Sequence, residues 1–207
     1  MRAWLRRLAL ALVLGGSAAA LAPGLAGCQS AAPARPVGNY DFGPLPVETL
    51  GKARFQGGLR LSGVLAPLWM EASDLNYRLL YSDANQPRAY ATSRWVMPAP
   101  QLVASRLRAA ISRRGQLVAA SDLVEAPSLR VELEEFSQAF DSPTASRGAI
   151  SMRATVIKGR TMLAQKVFSL SVPAETADAV GGAHALAKGV DVLIEQIMDW
   201  VVALPLF

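Results

Sequence analysis

The most regular hydrophobic spacing lies near the end of the chain. Val180, Ala183, Leu186, Ala187, Val190, Ile194, Ile197, Met198 and Val201 recur there every three or four residues. This period predicts a helix over residues 177–201. Gly182 and Gly189 weaken its intrinsic propensity but permit close packing on a sheet, and Pro205 stops any continuation. A second helical period covers residues 101–114, with Leu102, Val103, Leu107, Ala110 and Ile111 on one stripe and Gly115 as its stop. Arg106, Arg108, Arg113 and Arg114 fall largely off that stripe. They read as a solvated, solubilising face rather than a site for anionic lipid.

Elsewhere the period is two. Leu129, Val131 and Leu133 alternate with Arg130, Glu132 and Glu134 until Glu135 breaks the pattern before Phe136, which predicts a bulge or the strand's end. Ile150, Met152, Ala154 and Val156 share one face of the next strand. Lys158-Gly159-Arg160 then turns the chain into residues 162–172, where Phe168, Leu170 and Val172 alternate; the pair reads as a hairpin. Upstream, Tyr40-Asp41-Phe42 forms a short strand ended by Pro44 and Pro46. Residues 59–66 form another, with Leu59, Leu61, Gly63 and Leu65 on one face. Residues 76–82 put Tyr77, Leu79 and Tyr81 together, residues 83–88 make a polar turn, and residues 90–97 run extended up to Pro98 and Pro100. Trp69-Met70-Glu71 fits either a strand extension or a binding rim. The order strands, helix, strands, helix predicts an α+β domain: a mostly antiparallel or mixed sheet with two principal helices packed on one face.

The amino terminus follows a different logic. Arg2, Arg6 and Arg7 precede residues 8–21, which carry no charge, and Leu25-Ala26-Gly27-Cys28 follows. A positive start, a short apolar run and small residues before a cysteine form a secretory signal ending in a lipobox. Cleavage before Cys28 leaves a thiol that takes a diacylglycerol and an amine that takes an acyl chain such as palmitate, and stable anchoring needs more than one chain. The expected organisation is a signal peptide over 1–27, a lipidated flexible tether over 28–39 and a folded domain over 40–207. By resemblance to the sorting pattern of bacterial lipoproteins, Gln29 rather than Asp after the cysteine favours sorting to the outer membrane.

This reading reduces the charge. The precursor has 21 basic and 16 acidic residues, a formal +5, but three of the basic residues lie in the leader. The remaining 18 against 16 give +2, which offers no reason to propose nucleic acid as a partner. Cys28 is the only cysteine, so no internal disulfide and no two-cysteine redox motif are possible.

Candidate chemistry is sparse. His184 is the only histidine and lies in the final predicted helix, without the further histidine or thiolate of a soft-metal site. Asp178, His184 and Ser169 or Ser171 lack the nucleophile elbow of a hydrolase. Gly57-Gly58 and Gly181-Gly182 lack the Lys-Ser/Thr that cradles nucleotide phosphates. The expectation is a protein that is no enzyme and carries no cofactor or metal beyond the covalent lipid on Cys28.

The lipidated Cys28, Tyr40-Asp41-Phe42, Tyr77-Arg78-Leu79-Leu80-Tyr81, Tyr90-Ala91-Thr92-Ser93-Arg94-Trp95 before a proline-bounded helix, and a final helix after a hairpin occur in an informative order. Over residues 40–201 the chain resembles the ABC-type transport auxiliary lipoprotein family, which includes lipoprotein partners of paraquat-inducible intermembrane transport systems. The resemblance implies a non-catalytic outer-membrane component facing the periplasm. Its implied partners are a periplasmic MCE-domain protein, through it an ABC permease and ATPase, and a phospholipid cargo. Tyr90, Arg94 and Trp95, with Trp69 and Met70, are the docking candidates, because an aromatic beside an arginine joins a desolvated anchor to a directional polar contact. Tyr90 and Trp95 equally fit a core or a sheet edge. Two further readings stay open: a lipid-binding carrier with an internal apolar cavity, and a structural envelope lipoprotein.

Overall fold

The long strand β6 (Ser128–Ser142) organises the domain. The computed structural model describes residues 37–45 and 53–206; the signal segment, Cys28, the tether as far as residue 36, and Phe207 lie outside the described residues. In chain order the elements are β1 (Gly38–Tyr40), β2 (Gly58–Leu65), a 3-10 turn at Leu68–Met70, β3 (Asp74–Leu79) and β4 (Asp83–Trp95). Then come α1 (Ala99–Arg114), β5 (Gln116–Val118), β6, β7 (Ala145–Lys158), β8 (Thr161–Pro173) and α2 (Ala179–Val202). The strands form a mixed sheet, and α1 and α2 cover one face of it, as the hydrophobic periods require.

One edge of β6 pairs antiparallel with β7 from Ser128↔Ile157 to Ser142↔Ala145, and β7 pairs with β8. The other edge is divided. Its first part pairs parallel with β2, from Arg60↔Ser128 to Leu65↔Glu132, and its last part with β3, from Tyr77↔Gln138 to Leu79↔Phe140. β5 extends the sheet beyond β2, while β4 and then β1 extend it beyond β3. The division falls where β6 is bulged, since its register passes from Leu133↔Met152 to Glu135↔Ser151. The break at Glu135 is thus a bulge and not an end. One extra residue restores the parity, so Leu129, Val131 and Leu133 and then Phe136 and Phe140 are all buried.

Two expectations on the shorter strands need correction. In β2 the register skips Ser62, with Leu61↔Leu129 followed by Gly63↔Arg130, and Gly63 adopts φ +131°. Beyond this bulge the faces exchange: Val64 and Ala66 pack on the core and Leu65 is exposed. The polar stretch 83–88 is strand rather than turn. The chain reverses at residues 80–82, where Ser82 N donates to Leu79 O across 3.0 Å, and Asp83 already pairs with Leu79. Pro87 falls in the irregular stretch of β4 between the pairs Tyr77↔Arg88 and Leu79↔Asp83, where a missing donor is tolerated.

The helices meet the sheet closely. Asp178 caps α2, accepting from Gly181 N at 2.9 Å and from Thr176 Oγ1 at 2.7 Å. α2 lies on β6, β7 and β8, and α1 on β2 and β5. A Cβ at Gly148 of β7 would stand 2.9 Å from Leu186 N, and one at Gly189 of α2 would stand 2.5 Å from Ile150 Cδ1. The reading of four solvated arginines on α1 is also corrected: Arg106 and Arg114 are buried, facing α2.

Candidate functional site

The five docking candidates do not form one surface. Trp95 ends β4 only 1% exposed, its ring 5.5 Å from that of Phe42 and 5.6 Å from that of Phe136. Met70 is also 1% exposed and belongs to the same core. Surface docking through Trp95 or Met70 is therefore corrected to core packing. Arg94, the neighbour of Trp95, is exposed. Trp69 is half-buried beneath Arg78, whose guanidinium carbon lies 5.3 Å from the ring centroid and whose Nε is 3.8 Å from Glu135. The spacing misleads because β4 is irregular: Asn76 pairs with Ala89 but Asp74 with Arg94, so parity cannot be counted from Tyr90 to Trp95.

Tyr90 belongs to an interior polar network. Its ring centroid lies 4.6 Å from that of Tyr77, and its hydroxyl donates to Gln138 Oε1 at 2.9 Å. Gln138 Nε2 donates in turn to Ser146 Oγ at 2.8 Å and to the carbonyl of Asp178 at 3.0 Å. Burial, with smaller contributions from Tyr77 and Asp178, holds the phenol well above its usual range, so it stays a neutral donor. The network joins β4, β6 and β7 to the start of α2, with the buried amide bonded at both ends.

A second polar seam joins the helices. Arg106 donates to the carbonyls of Phe42 and Gly43, the latter at 3.0 Å, and its Nε lies 3.2 Å from Asp191. Arg114 donates to Ala53 O at 2.7 Å and pairs with Glu195 at 3.0 Å and with Asp199. Burial raises Asp191 above the usual carboxylate range, while Arg106 and Arg113 oppose the rise. The sequence did hold a signal for this seam. Asp191, Glu195 and Asp199 recur every four residues, and Arg106 and Arg114 are eight apart, so each set lines one helix face. Beside Arg106, a cleft of ≈ 250 Å³ is lined by Asp41, Phe42, Leu45, Leu102 and Ser105. That is below the ~300–1,000 Å³ of ordinary ligand sites.

The imagined catalytic set is not assembled. His184 is exposed on α2, Asp178 is engaged as a helix cap, and Ser169 Oγ donates to Ser151 Oγ at 3.1 Å. Among the described residues no three His, Cys, Asp or Glu side chains are grouped to hold a metal ion, and no helix is long and apolar enough to cross a membrane.

These features define an α+β domain in which two helices, joined by two buried arginines of α1 paired with carboxylates of α2, close one face of a divided mixed sheet. The family described as the ABC-type transport auxiliary lipoprotein component matches residues 40–198, and the chain belongs to that family. A crystal structure of a Xanthomonas campestris protein of the DUF330 family is similar to it, with TM-score 0.67 and 16% identity over 79% of this chain and 94% of that one. A second, of an uncharacterized protein, has TM-score 0.62 and 16% identity over 81% of this chain and 99% of that one. No curated protein matches the sequence significantly.

Proposed function

We propose that the protein is a non-catalytic outer-membrane lipoprotein, anchored through acyl chains on Cys28, that docks the periplasmic MCE-domain subunit of an ABC-driven lipid transport system. The family membership over residues 40–198 carries the reading. The lipobox before Cys28 supports the anchor, and tethering reduces the search for a partner to a layer near one surface. A carrier needs a continuous apolar cavity between sheet and helices. Instead, α2 presses on the sheet so closely that a Cβ at Gly148 would meet the backbone of Ala185 and Leu186, which favours docking over carrying.

Crosslinking of the full-length protein in native membranes tests the docking role, with recovery of an MCE-domain protein or its permease complex as the expected result. Recovery of neither, where other envelope complexes survive, contradicts it. Incorporation of labelled palmitate into the wild type but not into a Cys28→Ser variant tests the anchor.

A further inference from the structure

Among the described residues β8 pairs only with β7, so it forms a free edge of the sheet. One hydrogen bond beyond its end fixes which of its backbone groups are free. Ala174 N donates to Ser146 O at 2.9 Å, and the register Arg147↔Pro173 sets these two residues opposite each other as a hydrogen-bonded pair. In an antiparallel ladder such pairs alternate with open ones. Val172, Leu170, Phe168, Lys166 and Ala164 therefore turn their N–H and C=O groups toward β7. Ser171, Ser169, Val167 and Gln165 turn theirs outward, and all four are exposed. Pro173 falls in the outward set, where its missing donor takes nothing from β7, as this phase requires.

Edge strands are ordinarily blunted by charges, prolines or bulges. Here the bulge at Leu163 and the ring of Pro173 only delimit the edge. Between them the register runs unbroken from Ala164 to Val172, and Lys166 is the one charged residue. Val167 is 48% exposed on the open face of the sheet. On the other face α2 borders the same edge. A Cβ at Gly189 would stand 3.2 Å from Val172 Cγ2, and the ring of Trp200 lies 5.7 Å from that of Phe168. Exposed Val192 and Gln196 fall between these two contacts at helical spacing, so this side of α2 and the edge of β8 form one surface.

The outward residues identify the occupant, because they match themselves. Around a two-fold axis at Phe168, an antiparallel second copy of β8 sets Val167 opposite Ser169 and Gln165 opposite Ser171. Each outward N–H and C=O from Gln165 to Ser171 then has a partner. Neighbouring registers do worse. An axis at Lys166 brings two ammonium groups face to face, one at Val167 sets Ser171 against the bulged Leu163, and one at Ser169 sets Gln165 against Pro173, which has no donor. With the axis at Phe168, Lys166 lies opposite Leu170, and the two amines are four residues apart along the strands, about 13 Å. The same register brings exposed Glu175 of each copy about level with exposed Arg160 of the other.

We propose that β8 pairs antiparallel with β8 of a second copy of this chain about a two-fold axis at Phe168, joining two sheets edge to edge in a dimer. The dimer is independent of the transport role. The test co-expresses two differently tagged full-length copies, one Val167→Cys and one Ser169→Cys, and oxidises native membranes. Opposed residues of this kind have Cα atoms about 5.5 Å apart, within disulfide reach. Disulfide dimers are expected from 167 with 169 and from 165 with 171. None are expected from Ala89→Cys copies, altered on exposed β4, or from the wild type, whose only cysteine is Cys28. Ser169→Pro removes one outward donor and leaves the β7 ladder whole. It is expected to keep the wild-type circular dichroism spectrum and to run in detergent as one copy where the wild type runs as two. A wild type that runs as one copy, an assembly in which 167 and 169 do not join, or a Val167→Cys copy that joins only a different protein overturns the proposal. So does a folded Ser169→Pro variant that is still dimeric.

Discussion

Gln138 of β6 fills the space that a side chain at Gly182 of α2 would need: a Cβ there would stand 2.0 Å from Gln138 Oε1. The amide cannot swing aside without losing Tyr90, Ser146 and the carbonyl of Asp178. A Gly182→Ala substitution gains about 1 kcal/mol of helix propensity but overpacks a fixed contact, at a cost of ~1–3 kcal/mol. The expected net effect is destabilisation, measured by denaturant unfolding. In a double-mutant cycle Gln138→Ala should relieve part of it, and additive effects would contradict the contact.

Arg106 is the stronger half of the helix–helix seam, because it is buried and satisfies two backbone carbonyls as well as Asp191. Its removal as Arg106→Ala is expected to cost ~2–3 kcal/mol, below the range for a fully buried pair because the Asp191 side chain is still 24% exposed. Arg106→Lys should recover little, since an ammonium lacks the fork that reaches all three acceptors. Arg114→Ala is expected to cost less, because its partner Asp199 is largely exposed. Chemical unfolding of the three variants gives the order.

Asp178→Ala removes the α2 cap and is expected to cost about 1 kcal/mol. The bonds from Gly181 N and Thr176 hold this carboxyl below its ordinary 3.8. A group with a lowered folded value stabilises above its unfolded value and loses that contribution as pH falls through the folded one. The difference in stability between wild type and Asp178→Ala should therefore be full at neutral pH and shrink below about pH 4. A difference independent of pH down to 2 would show that the charge plays no part.

Neighbouring substitutions on β4 separate core from surface. Trp95→Ala empties a buried site between Phe42 and Phe136 and is expected to cost ~3–5 kcal/mol. Arg94→Ala removes an exposed side chain and should change stability by less than about 0.5 kcal/mol. Thermal unfolding of the two variants makes the comparison.

Much of this architecture was legible in the sequence because one-face burial leaves a period. The stripe from Val180 to Val201 gave α2, and the alternations through Val131 and Met152 gave the central strands. Bulges were harder to read. The one at Glu134 left its trace as a broken alternation, but Ser62 is polar and small, so the exchange of faces in β2 left none. Side chains that bond across long sequence separations were the least visible. Arg106 with Phe42, Arg60 with the 119–124 loop, and Tyr90 with Gln138 each join distant segments, and composition assigns such residues to the surface. Trp95 and Met70 failed as docking residues for the converse reason: a large apolar side chain beside an arginine suits a hot spot and a core equally.

The central claim is docking to an MCE-domain transport subunit, and affinity purification of the full-length lipidated protein from gently solubilised envelopes, read by quantitative mass spectrometry, tests it most directly. Docking predicts that the MCE-domain protein and its permease co-purify at abundances comparable to the bait. Their absence, with the bait intact, folded and membrane-anchored, would contradict it.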